Sequence, residues 1–327
     1  MNLSRNRKNE VKELVKSESN FDLKKISPVE VLNLVFGEYA SNTQRAYARA
    51  FKNLQDWADI KNIDEMEDFD PLKILEFKKY LISLGKKPST INQIMSALRK
   101  VCHVLNEFGF LKKNPFKSSL IRTEKVDITS NKGALKISQL NEMIEANQNI
   151  EYDGRLSDLL RYRNGIILKF LYLTAARRGE VADLNWDDIV QDGIFNVAIL
   201  RNTKSGRDQR IKLRNELYKD LLDWRNILAE NEIISDYVFP SLSFRTLGKK
   251  MSGKGINDIV VRLGKCIGLK ISAHYLRHTA ITLALEMGEP LEKVQSYARH
   301  ASANTTIRYY HDRQLLEKNP TDKLPLI

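Results

Sequence analysis

Cysteine is nearly missing from this chain: Cys102 and Cys266 are the only two in 327 residues, and they stand far apart. Two such residues supply neither a disulfide framework nor the paired spacing of a zinc site, so both read as small core residues of a reduced, intracellular protein. Long apolar runs are missing too. The most apolar stretch, Ile166 to Ala176, is interrupted by Lys169 and is too short to cross a bilayer. The first ten residues carry basic groups with no apolar run behind them, which is not the pattern of a secretory signal. The cytoplasm is the expected address, with no membrane partner. A Gly-rich loop ending in Lys-Ser/Thr, of the kind that cradles nucleotide phosphates, does not occur, nor does an internal repeat or a low-complexity tract.

What the chain has in excess is positive charge. Lys and Arg number 53 against 41 Asp and Glu, a formal net charge of +12. Such a balance suits a polyanionic partner, nucleic acid before an anionic membrane surface. The length allows two domains with ordinary cores.

Hydrophobic periodicity divides the chain into five stretches. Residues 1–26 alternate charge with small apolar groups and read as an N-terminal tail. From 27 to 116 the pattern is helical throughout, because no run alternates with period two. Ser41 followed by Gln44 has the form of a capping box, and Tyr47, Phe51, Leu54 and Trp57 recur behind it at helical spacing. A second helix is expected over Pro71–Leu84. A third starts near Ser89 and places Ile91, Ile94, Leu98, Val101, Leu105 and Phe108 on one face, stopping at Gly109. Residues 117–136 are polar and aperiodic and read as a linker. Residues 137–313 form a second unit, mostly helical, with strands expected over Phe195–Leu200 and Gln209–Leu213 and Lys204 in the turn between them. Residues 314–327 make a C-terminal tail, whose few apolar groups are expected to pack on a neighbouring subunit.

Several chemistry-bearing residues are scattered through the second unit. His274 and Arg277 lie three apart on an expected helix, so both project from one face and can meet one anion. Arg177 and Arg178 follow the long apolar helix; a guanidinium there is either half of an ion pair or a bidentate holder of phosphate oxygens. Lys204 is either an exposed hairpin lysine or a long-stemmed proton donor, since its ammonium keeps a proton at neutral pH. His300 precedes Ala301-Ser302-Ala303-Asn304, polar enough to break a helix and let a new one return Tyr309 or Tyr310 toward the same place. In the first unit Arg45, Lys79, Lys87, Arg99 and Lys100, with Lys78 and Lys86 beside them, are candidate phosphate contacts giving sequence-independent attraction to DNA.

The ordered series Leu-Thr-Ala-Ala-Arg177-Arg-Gly-Glu180, Asn-Thr-Lys204-Ser-Gly, Ala-His274-Tyr-Leu-Arg277-His-Thr, Ala-Arg-His300-Ala and Thr-Thr-Ile-Arg-Tyr309 resembles the tyrosine recombinases, the phage-integrase and Xer-type enzymes. The first unit resembles their core-binding domain: Ser41-Asn-Thr-Gln-Arg-Ala-Tyr47, the Ser89–Arg99 segment and Asn114-Pro115-Phe116 match its pattern. The resemblance implies a mainly α fold with a small antiparallel β-sheet, arranged as a two-lobed DNA clamp. It selects Arg177 over Arg178, because Glu180 stands three residues on as a supporting carboxylate, and Tyr309 over Tyr310 by register.

The implied reaction is a site-specific pair of transesterifications through a 3′-phosphotyrosine. Tyr309 would be the nucleophile and Lys204 the general acid. Arg177, Arg277, His274 and His300 would hold the phosphate. Neither a metal nor ATP is implied. The implied partners are double-stranded DNA and further copies of the chain, two per site and four in synapsis, with accessory proteins allowed. With short flanks outside the core-binding and catalytic units, no additional arm-binding domain is expected. Three other readings remain: topoisomerase-like strand passage with the same site, a metal-dependent nuclease, and a non-catalytic DNA-binding protein of the same fold. In the nuclease reading Asp183, Asp187 and Asp188 are too crowded and fit a helix end better. Arg299 departs from the family, which has glycine before this histidine; an altered loop or an added phosphate contact is expected from it.

Overall fold

The structure, a computed structural model, describes residues 28–37, 39, 41–126, 133–152, 154, 156–201, 208–300 and 302–307. Both expected tails, Lys204, Tyr309 and Tyr310 lie outside the described residues. The chain divides into two compact units, residues 1–130 and 131–327.

In the first unit the described helices are α1 (Pro28–Phe36), α2 (Ser41–Ala58), α3 (Pro71–Ser83) and α4 (Pro88–Glu107), with a 3₁₀ turn at Ile63–Met66. The start of α3 has a local cause. The Asp70 carboxylate accepts the Lys73 backbone N–H at 2.8 Å, and Pro71 brings a helical φ to the first position of α3. Gln44, read as half of a capping box, donates its side-chain amide to the carbonyls of Phe36 and Gly37, at 3.0 and 2.8 Å. It thereby satisfies the open end of the preceding helix. α4 ends in a Schellman turn: Gly109 takes φ 84°, Phe110 N–H bonds the Leu105 carbonyl at 2.9 Å, and Gly109 N–H bonds that of Asn106 at 3.2 Å.

The apolar stripes of α2, α3 and α4 meet in one core containing Phe51, Leu54, Phe77, Leu98, Val101 and Leu105. Each side chain of this size removed from water contributes roughly 1.5–3 kcal/mol. Cys102 is buried there with its thiol pushed up to about 12 by burial, so it is an inert packing residue. Cys266 is the exception to the expected pair: it is exposed, because it closes the last turn of its helix just before the chain reverses at Gly268.

Both described ends of the stretch 117–136 are anchored. Ile121 is buried, Lys78 donates to the Arg122 carbonyl at 2.6 Å and pairs with Glu124, and Asn92 exchanges two hydrogen bonds with Glu124. On the other side Leu135 N–H bonds Thr279 Oγ1 at 3.1 Å, and Tyr275 Oη donates to the Gly133 carbonyl.

The second unit contains α5 (Ile137–Asn149), α6 (Ser157–Thr174) and α7 (Arg178–Asp183), then strands β1 (Ile189–Asp192), β2 (Phe195–Leu200) and β3 (Gln209–Leu213). Helices α8 (Asn215–Glu230), α9 (Gly253–Cys266), α10 (Ala273–Glu286), α11 (Leu291–Ala298) and α12 (Ala303–Ile307) follow. The sheet is antiparallel in the order β1-β2-β3, with Leu200 opposite Gln209 at the mouth of the β2–β3 hairpin. Strand β1 was not foreseen. At four residues it is too short to show alternation, and Gly193, at φ 59°, turns it back onto β2.

Helix α6 supplies the main core with Ile166, Ile167, Leu168, Phe170 and Leu171, against which Trp224 of α8 is fully buried with its indole N–H on the Val238 carbonyl. A smaller cluster of Ala175, Ala280, Ile281, Leu285, Val294 and Ala298 binds the end of α6 to α10 and α11. That junction carries the site.

Candidate active site

The site begins where α6 stops. Thr174 turns its hydroxyl back to the Phe170 carbonyl at 2.5 Å, and Ala175 adopts a left-handed φ of 48°, reversing the chain. Arg177 stands at the N-cap of α7. The Glu180 carboxylate accepts its backbone N–H at 2.7 Å and its Nη1 at 2.6 Å. Glu180 is buried, so this is a carboxylate held as an arginine partner, not a surface charge. Arg178 has its own place beside Gly253 at the start of α9.

Helix α10 contributes His274 and Arg277. His274 is exposed on the first turn, while Arg277 is almost fully buried. Buried guanidinium must be paired, and Arg277 donates Nη1 to the Ala175 carbonyl and Nη2 to the Ala298 carbonyl. It therefore ties the last turn of α6 to the last turn of α11.

Helix α11 ends in a Schellman turn of its own. Arg299 N–H bonds the Ser296 carbonyl at 3.0 Å and His300 N–H bonds that of Gln295 at 3.1 Å, with Arg299 at φ 55°. This is the backbone reason why glycine suits the position. The Arg299 side chain does not reach outward as the sequence suggested. Its Nη1 bonds the carbonyls of Thr174 and Tyr297 at 3.1 and 3.0 Å, and its Nη2 bonds the Ala175 carbonyl at 2.9 Å and Glu180 Oε2 at 3.3 Å. With 5 % of its side chain exposed, it is turned into the protein toward these acceptors. Arg177 Nη2 in turn approaches the Arg299 carbonyl at 3.5 Å.

Sequence reasoning also missed the support of His300. Its Nδ1 lies 2.9 Å from the hydroxyl of Thr306, a buried residue on α12, and Gln295 Nε2 donates to its carbonyl at 3.1 Å. A threonine six residues beyond a histidine carries no periodic signal, since the break between α11 and α12 sets their approach.

The electrostatics bind these groups into one site. Burial pushes the His300 imidazole down to about 4, and Arg277, Arg177, Arg299 and His274 push the same way. His274 is also held below its ordinary value, by desolvation first and then by Arg277, His278, Arg177 and Arg178. Both rings are disfavoured as cations by burial first, and then by the guanidinium charge concentrated there. Arg177, Arg277, His274 and His300 thus share one locality, supported by Glu180 and Arg299.

The remaining candidates lie outside the described residues or in the first unit. Lys204 falls in the undescribed stretch 202–207, whose flanks are paired as β2 and β3; at its near edge Arg201 pairs with buried Asp188. Helix α12 ends at Ile307, two residues before Tyr309. In the first unit Arg45, Lys79 and Lys87 are exposed and Lys100 is half-buried. Arg99 donates to the Ile121 carbonyl at 3.1 Å and lies over the Phe116 ring, so it helps fasten residues 116–121. Among the described residues no group of three or more His, Cys, Asp or Glu could hold a metal ion. The Asp183 and Asp188 carboxylates are engaged by Lys250 and Arg201. No described helix is long and apolar enough to cross a membrane.

Two guanidiniums beside two imidazoles concentrate the kind of donors that suit an anion. Comparison with known proteins gives the family. Residues 134–315 match the phage integrase family, and residues 34–107 match the phage integrase N-terminal SAM-like domain. Tyrosine recombinase XerD of Staphylococcus epidermidis is 25% identical over 286 residues, covering 86% of this chain and 92% of that protein. The fold is shared with XerH site-specific recombinase bound to its palindromic difH substrate, at TM-score 0.67 and 18% identity over 97% of this chain and 95% of the other. It is shared also with a lambda integrase tetramer bound to a Holliday junction, at TM-score 0.65 and 16% identity over 94% and 85%. The chain belongs to the phage integrase family and is a tyrosine recombinase.

Proposed function

We propose that this protein is a site-specific DNA recombinase that cuts and rejoins strands through a 3′-phosphotyrosine, with Tyr309 as nucleophile. The observation that carries the reading is the convergence of Arg177, Arg277, His274 and His300 from three separate helix ends onto one place. In the proposed step the Tyr309 oxygen bonds to phosphorus as the bond from phosphorus to the 5′ oxygen breaks. The phenol, with an ordinary pKa near ~10, gives up its proton as it attacks, helped by the surrounding positive charge. Neutral His274 is in a state to accept it. Arg177 and Arg277 stabilise the charge that grows on the non-bridging oxygens. Thr306 donating to Nδ1 would keep the His300 proton on Nε2, where it can hydrogen-bond the same oxygens. Lys204 protonates the departing 5′ oxygen. A 5′ hydroxyl of another strand then reverses the step, so the phosphodiester bond energy is kept without ATP.

Duplex DNA is the proposed substrate, bound by both units, and assembly on it as pairs and then tetramers is supported by likeness to a lambda integrase dimer on a core site and a tetramer on a Holliday junction. The net charge of +12 favours that partner. The test is Tyr309→Phe beside Tyr310→Phe on nicked duplexes drawn from a random-sequence pool. Tyr309→Phe should bind DNA as the native chain does and form no covalent adduct on a denaturing gel. An adduct that survives Tyr309→Phe and vanishes with Tyr310→Phe would move the nucleophile by one residue.

A further inference from the structure

We propose that Arg299 is a positioning residue for strand transfer, acting on Arg177 and His300 from the turn that joins them. The proposal rests on the recombinase reading above. Four observations support it. The residue occupies a left-handed backbone, φ 55°, that suits glycine and carries a steric cost for arginine. Its side chain is nevertheless folded inward and buried, 5 % exposed, beside a Glu180 that is 7 % exposed. Its guanidinium meets three carbonyls, of Thr174, Ala175 and Tyr297, two of them at the open end of α6, where a helix presents unpaired acceptors and partial negative charge. Its own carbonyl receives Arg177 Nη2 at 3.5 Å, so side chain and backbone both reach the Arg177–Glu180 pair.

The charge arithmetic of that trio gives the consequence. Without Arg299, Glu180 would neutralise Arg177 one for one. With it, one carboxylate serves two guanidiniums, Oε1 on Arg177 and Oε2 on the Arg177 backbone and Arg299. A net positive charge remains beside the proposed phosphate position, and Arg177 is drawn less strongly onto its partner. His300 follows Arg299 directly and feels the same field, together with Arg277, Arg177 and His274, the groups that face it from α10, the α6–α7 junction and its own turn. The turn geometry and the inward fork therefore set both members of the phosphate grip at once.

The experiment compares the full-length native chain with Arg299→Gly and Arg299→Lys. The DNA probe is a nicked duplex selected from a random pool by covalent trapping on the native chain. Arg299→Gly should bind this duplex within about twofold of the native chain yet form adduct at least ~10-fold more slowly, because the interaction lost acts on the reacting groups and not on DNA affinity. Arg299→Lys, which keeps the charge without the planar fork, should recover part of the rate. In the free protein, NMR titration of His300 should show its imidazole pKa raised in Arg299→Gly and little moved in Arg299→Lys, a readout that a purely structural role would not separate. Equal adduct rates in native chain and Arg299→Gly, with the His300 titration unmoved, would overturn the proposal alone. A native chain that traps no DNA would overturn the recombinase reading and this role with it.

Discussion

Glu180 offers the sharpest stability test of the site. Its carboxylate is buried and accepts three N–H groups, from Arg177 N at 2.7 Å, Arg177 Nη1 at 2.6 Å and Arg299 Nη2 at 3.3 Å. Glu180→Ala removes all three and leaves two like charges side by side, one of them buried. Deleting one partner of a fully buried pair costs about 3–5 kcal/mol. The Arg177 side chain is 35 % exposed, so water recovers part of that loss and the expected cost is about 3 kcal/mol. For a unit of this size each kcal/mol lowers the melting temperature by about 2–4 °C, so the transition of the second unit should fall by roughly 6–12 °C. Glu180→Gln keeps an acceptor and should lose about half as much, since neutral hydrogen bonds are weaker than charge-assisted ones. Differential scanning calorimetry of the full chain reads this directly, with the first unit's transition as an internal reference. A Glu180→Ala protein whose second transition stays within about 1 °C of native would refute the argument, because the two arginines would then not need the carboxylate.

The division of labour at the phosphate gives a second expectation. Lys204→Ala should cut slowly on ordinary DNA and be rescued by a 5′-bridging sulfur, whose thiolate leaves without a proton, whereas Arg177→Ala should not be rescued. Equal rescue of both variants would refute it. The third concerns pH. An unfolded imidazole titrates near ~6.5, but His300 in the fold does so only at about 4. Below about 6.5 the unfolded chain therefore binds a proton that the folded chain refuses, and stability is full above that value and lost as pH falls toward 4. His274 acts in the same direction. Urea midpoints should fall between about pH 7.5 and 5, and His300→Asn, which cannot take the charge, should narrow the fall; an unchanged difference would count against it.

Much of this protein was legible in its residue order because the governing interactions are local. Helices α2, α4 and α6 announce themselves by apolar spacing, and Gly109 by following a helical stripe. The strands Phe195–Leu200 and Gln209–Leu213 fall where β-branched and apolar residues flank a turn. The ordered motifs single out Arg177, Glu180, His274, Arg277 and His300, which lie within reach of one another's charge or hydrogen bonds in the fold. Strand β1 escaped notice because four residues are too few for a period and its pairing with β2 defines it. Gln44 also closes the helix behind it, a contact that depends on the turn between the two helices.

Arg299 is the clearest case of what tertiary structure alone decides. In sequence it is one more basic residue of a basic chain, from which an altered loop or an outward phosphate contact is expected. Its direction is set by carbonyls at Thr174 and Ala175, 125 and 124 residues away, and by Glu180, 119 residues away. No pattern of neighbouring residues encodes such partners. They come together because the small cluster of Ala175, Ala280, Ile281 and Val294 packs the ends of three helices against one another. Packing leaves the open carbonyls of α6 facing the turn after α11, and a buried guanidinium is the group that can satisfy several acceptors at once.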